Sequence, residues 1–84
     1  MQTNDTKTFL GEERYSLHTF MSSSNLAFCK YDHIHSLLLV MFHNGSCYEY
    51  YGVDSNTYNE LIASPSAGSY FNKVIKSFKC ERVK

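Results

Sequence analysis

The stretch Ser36-Leu37-Leu38-Leu39-Val40-Met41-Phe42-His43-Asn44-Gly45-Ser46-Cys47-Tyr48-Glu49-Tyr50-Tyr51-Gly52-Val53 decides the fold. Its first half is an aliphatic run of strand length. Asn44-Gly45 follows, two residues that tolerate positive φ and so mark a hairpin. Cys47 to Val53 is the returning strand. A two-residue loop at Asn44-Gly45 would pair Met41 with Tyr48 and Leu39 with Tyr50. A three-residue loop of His43-Asn44-Gly45, with the glycine in a bulge, pairs Phe42 with Ser46, Val40 with Tyr48 and Leu38 with Tyr50. One residue of slip exchanges the two sides of the ribbon. Both registers separate Glu49 from Tyr48 and Tyr50, so charge alone does not choose between them.

Either way the ribbon is apolar on both sides. With the three-residue loop, Leu38, Val40, Phe42, Tyr48 and Tyr50 share one side, and Leu37, Leu39 and Met41 the other, beside Cys47 and Tyr51. An antiparallel sheet normally shows water a polar side. The surface of Leu37, Leu39 and Met41 therefore calls for a cover. Residues 9–21 folding back would supply one, and a second copy of the chain would supply another.

Upstream, Leu26 to Tyr31 reads as a strand, with Asp32-His33-Ile34-His35 as the turn into the ribbon. Ser22-Ser23-Ser24-Asn25 is a turn cluster. Tyr15, Leu17, Thr19 and Met21 alternate as in a strand, so residues 1–20 are an N-terminal arm or extra strand ahead of a domain over 21–84. Residues 1–8 are polar and read as loose. Downstream, Asp54 and Ser55 offer caps for a helix over about 55–63, which Ser64-Pro65 ends. Ser66 caps a second helix. There Ala67, Tyr70, Phe71, Val74, Ile75 and Phe78 form one apolar stripe. Cys80 to Lys84 offers a last short strand. The fold class is α+β, a three- to four-stranded antiparallel sheet with two helices packed on one face.

At 84 residues the chain is one domain, and its 43% hydrophobic and 19% charged residues are those of a globular protein. Net charge is zero, but residues 1–63 carry −4 and residues 64–84 carry +4. The basic end holds Lys73, Lys76, Lys79 and Arg82, which would meet phosphates or simply form the wet face of a helix. The three cysteines, an odd number, with no secretory leader pattern, imply free thiols in a reducing compartment, and the cytoplasm is the default. The run from Leu37 to Phe42 is far too short to cross a membrane.

Three constellations bear on chemistry. Tyr48 and Tyr50 lie two apart on a strand, about 7 Å between rings, a spacing that suits stacked bases or a core pair equally, and Tyr51 adds a third candidate for stacking. Ser66-Ala67-Gly68-Ser69 offers hydroxyls and a close backbone approach for a phosphate, with Asn72, Lys73 and Lys76 extending it, or plain helix capping. His33, His35 and His43 with the cysteines do not make a zinc site. The ends of one strand hold them on the order of 25 Å apart. No paired carboxylates, activated nucleophile or Walker-type loop is present, so no catalysis and no cofactor are expected.

Read together, Ser23-Ser24-Asn25-Leu26, Tyr31-Asp32, the alternating Leu38, Val40 and Phe42, Gly45, Tyr48-Glu49-Tyr50, Val53, Tyr58, Leu61, Ser66 to Asn72 and Ile75-Lys76 resemble the KTSC domain. That domain is found at the C-terminus of some lysyl-tRNA synthetases and as small stand-alone bacterial and phage proteins. The resemblance covers about two-thirds of the chain and tips the register to the three-residue loop. Two departures stand out. Asp54 replaces a common proline, and Ser77-Phe78-Lys79 shortens the usual basic-aromatic spacing. The resemblance implies the fold and, through the synthetase fusion, RNA binding. With the Ser66–Ser69 helix start and the basic end, the expected function is a non-catalytic binding module for RNA or a nucleotide or phosphate ligand. The alternative is a phage-type inhibitor of a host protein or a signal-sequestering protein, acting as a homo-oligomer.

Overall fold

The computed structural model describes residues 14–84. Five strands form one sheet: β1 Tyr15–Thr19, β2 Leu26–Asp32, β3 Leu37–Phe42, β4 Cys47–Tyr51 and β5 Cys80–Arg82. Their spatial order is their chain order, and every pair is antiparallel. The expected three to four strands become five because both ends of the chain contribute one. The open edges of β2 and β4 carry backbone groups that need partners. Arg14 and Ala27 carbonyls close the β1 side, accepting from His33 and Phe20 at 2.8 and 3.0 Å. On the β4 side the Cys47 amide donates to the Lys84 carbonyl at 3.0 Å and Tyr51 to Lys79 at 2.8 Å.

The expectation that residues 9–21 fold back over the second side is corrected for Tyr15–Thr19. They extend the sheet beside β2 instead. The remainder of that expectation, with the loose residues 1–8, lies outside the described residues.

The hairpin takes the three-residue loop. Leu38 pairs with Tyr50 and Val40 with Tyr48, and the Phe42 amide donates to Ser46 at 2.9 Å. Gly45 sits at φ +93, where a side chain would strain the backbone. Helix α1, Ser55–Ala63, starts where the Asp54 carboxylate accepts the Thr57 amide at 2.8 Å. Helix α2, Ala67–Lys73, is shorter than the apolar stripe, which continues through a 3-10 turn at Ile75–Ser77. The tighter turn still lets Ile75 become fully buried. The Tyr70 hydroxyl ties α2 to α1 through Glu60 at 2.8 Å.

One face of the sheet, here the inner face, carries Cys29, Tyr31, Leu38, Val40 and Tyr50. These join Tyr58 and Leu61 of α1, Phe71 of α2 and Ile75 in a single core. Phe71 meets the rings of Phe42 and Tyr50 edge-on at 5.4 and 5.5 Å. No residue of the opposite, outer face joins that core.

Candidate functional site

The Ser22–Asn25 loop and the start of α2 converge from distant parts of the sequence. The Ser23 hydroxyl accepts the Asn25 and Leu26 amides at 3.2 and 2.9 Å, which fixes the loop's bend. His43 then clamps that bend to the hairpin. Its amide donates to the Asn25 carbonyl at 2.9 Å, and its Nε2 donates to the Ser23 carbonyl at 3.1 Å. Across from the loop, the Ser64 hydroxyl accepts the Ser66 amide at 3.1 Å and sets the entry into α2.

Between them lies a cleft of about 580 Å³, and a second of about 420 Å³ adjoins it toward the hairpin. Both share Ser24, Asn25, Gly68 and Asn72, so they form one groove. Within the groove, the side chains of Ser24, Asn25, Ser66, Ser69 and Asn72 make no hydrogen bond among the described residues. Gly68 lies at the point both clefts share. A Cβ added there would meet only the Ser23 hydroxyl, at 3.8 Å, an ordinary contact. The fold therefore does not require glycine at this position. Its effect is to keep the groove open to the α2 backbone.

The residues proposed from sequence divide. Ser66, Gly68, Ser69 and Asn72 line the groove, whereas Lys73, Lys76, Lys79 and Arg82 are exposed and line neither cleft. No lysine or arginine among the described residues lines it, and its polar lining is hydroxyl and carboxamide with the imidazoles of His18 and His43. Tyr50 is 5% exposed, packed against Phe71 and 6.4 Å from the Tyr48 ring, which leaves it no free face for a base. Burial pushes its hydroxyl up to about 12. Tyr48 is half-buried and edge-on to Phe42 at 6.0 Å. Tyr51 lies on the outer face. Its hydroxyl donates to Glu81 at 2.9 Å and stands 3.3 Å from Glu49, and this pair of carboxylates raises it to about 12. Leu37, Leu39 and Met41 lie half-buried on that same face.

In the sequence Ser22–Asn25 reads as a turn cluster and as part of the family pattern, with no site role. The three serines and an asparagine were visible, but their position opposite α2 is a long-range fact. Asp32 was likewise read as a turn residue. It is 6% exposed and accepts from Arg14 at 3.1 Å, from His35 Nδ1 at 2.9 Å and from the Ile34 amide at 2.9 Å. The Arg14 guanidinium, then these further donors, hold its carboxyl well below the usual range. Among the described residues, no three His, Cys, Asp or Glu side chains gather as a metal site.

These features define a small α+β domain, an antiparallel meander whose helices and first loop build a polar groove. The chain belongs to the KTSC domain family, whose model matches residues 22–78. It is similar to the crystal structure of a KTSC domain protein from Yersinia pestis, with 28% identity and a TM-score of 0.74. The similarity covers 83% of this chain and 99% of that one. No curated protein matches the chain. The family match begins after β1, so that strand lies outside it.

Proposed function

We propose that this chain is a non-catalytic binding module that holds a nucleotide-class ligand in the groove between Ser22–Asn25 and Ser66–Asn72. The observation that carries the reading is the convergence of Ser24, Asn25, Ser66, Ser69 and Asn72 on one groove without partners among the described residues. Hydroxyls and carboxamides both donate and accept, as the edge of a base and the hydroxyls of a ribose demand. A groove lined by no lysine or arginine among the described residues suits base and sugar better than a run of phosphates.

Longer RNA would have to use Lys73, Lys76, Lys79 and Arg82 outside the groove, and its affinity would fall steeply with salt. The tie to lysyl-tRNA synthetases carries none of this reading, and neither does a host protein target. A signal-sequestering protein would use the same groove for the same ligand class. Free thiols at Cys29, Cys47 and Cys80 fit a reducing compartment such as the cytoplasm. No helix among the described residues is long and apolar enough to cross a membrane.

The test is calorimetric titration with mononucleotides, cyclic nucleotides and short RNA at two salt concentrations. Binding of a mononucleotide that changes little with salt and is lost in Asn72→Ala and Ser69→Ala is the expected result. No heat from any of them at low salt removes the proposal.

A further inference from the structure

The outer face of the sheet is built in rows that run across the strands. The middle row reads Leu17, Lys30, Leu39, Glu49, Glu81 from β1 to β5. Flanking rows place Leu37 and Met41 along β3, with Tyr15 and Tyr51 toward one end and Phe28 and Cys47 toward the other. Leu17 is 73% exposed, and Phe28 and Tyr15 are 40% and 38% exposed. Five strands at ~4.8 Å spacing make such a face about 20 Å across. Its centre is apolar, and the face lies outside the core that the helices join.

Its charges are not scattered. On the β2 side, Lys30 rests its ammonium 4.3 Å from the centroid of Tyr15 and has no carboxylate partner among the described residues. On the β4 and β5 side, Glu49 and Glu81 are cross-strand neighbours with one hydroxyl, that of Tyr51, between them. Like charges directly opposite in a sheet repel, so this pair calls for a cation from outside. Lys30 and Glu49 each pair directly with Leu39 and flank it from opposite sides. Asp32, beside Leu37 on the Lys30 side, is buried and neutralised by Arg14 at 3.1 Å. The face is thus positive at Lys30 on one side of β3, negative at Glu49 and Glu81 on the other and apolar along β3.

That arrangement is complementary to itself under one symmetry operation only. A two-fold axis lying across the strands would set Lys30 over Lys30 and Glu49 over Glu49. A two-fold axis parallel to β3 reverses the row. Leu39 then meets its own copy, and Lys30 meets Glu49 twice. We propose that the outer face docks a second copy of this chain about a two-fold axis parallel to β3 and above Leu39. Lys30 of each copy then answers the Glu49 and Glu81 pair of the other. The product is an aligned two-sheet sandwich with Leu37, Leu39 and Met41 at its centre and the two grooves turned outward. The inference does not depend on what the groove binds.

The full chain should sediment as a dimer. Lys30→Glu and Glu49→Lys should each weaken association at least tenfold, and the combined variant should restore it. A wild-type monomer in the high-micromolar range overturns the proposal. So do single variants that stay fully dimeric, or a combined variant that stays monomeric. A zero-length carbodiimide on mixed labelled and unlabelled wild-type chains gives a check free of folding effects. A Lys30–Glu49 link between chains of different isotope content is expected, and its absence overturns the stated axis.

Discussion

The rings of Tyr31 and Tyr58 stack face to face, 4.5 Å between centroids and 7° between planes. One belongs to β2 and the other to α1, and the Tyr31 hydroxyl also donates to the Val53 carbonyl where the chain leaves the sheet. The pair therefore joins the sheet, the first helix and the segment between them. Tyr58→Ala removes a buried ring and should cost about 3–5 kcal/mol in urea unfolding. Tyr31→Phe keeps the stack but leaves a buried carbonyl unpaired, at about 1–3 kcal/mol. Equal losses for the two would show that the stack contributes little.

Acid should unfold the chain partly through Asp32. Its folded pKa lies below its unfolded value of 3.8, so the stabilisation is present in full above that value and is lost as pH falls from there through the lower, folded pKa. Melting temperature measured from pH 6 downward should drop below about pH 4, and the drop should be shallower in Asp32→Asn. A parallel pair of curves would mean that the Arg14 and His35 contacts are weak in solution.

Gly45 has open space around it, so substitution there is a backbone effect alone. At φ +93, Gly45→Ala should cost about 1–2 kcal/mol without moving the hairpin register. Chemical denaturation gives the cost, and cross-strand amide contacts between Val40 and Tyr48 give the register.

Three thiols should react at very different rates. Cys80 is exposed, while Cys29 and Cys47 are buried. Burial pushes Cys29 up to about 12 and also raises Cys47. A thiolate-specific reagent at pH 8 should label one cysteine in the native chain and three after unfolding. Fast native labelling at Cys29 would indicate an opening of the core.

Gly68→Ala separates folding from binding. Alanine is the better helix former, so stability should hold or rise by up to about 1 kcal/mol. Gly68→Gln puts a longer chain into the shared part of the groove, and ligand affinity should fall while the melting temperature changes little.

The central ribbon was legible because its signals agree. Asn44-Gly45 gives the turn, and the alternation of Leu38, Val40 and Phe42 with Tyr48 and Tyr50 gives the faces. Asp54 and Pro65 bound the first helix for local reasons that any chain would share. The outer strands were less visible. Tyr15–Thr19 and Cys80–Arg82 are short and mostly polar, and they form because a neighbour offers free backbone groups. In the candidate site, the α2 half could be read from Ser66, Gly68, Ser69 and Asn72. The other half could not, since nothing in Ser22–Asn25 says which segment it will face. The basic residues stand apart from the groove. Three apart in sequence, Lys73, Lys76, Lys79 and Arg82 fall at a helix end, in a 3-10 turn, in the link after it and in an edge strand.

Each strand of the sheet lies beside the strand that precedes it in the chain. From β1 to β4 each connection is a short loop, so the entropy lost on closing it is small, and only β5 must wait for the two helices between it and β4. Such a sheet can grow strand by strand from the β3–β4 hairpin outward, and refolding should be quick for a chain so rich in strands.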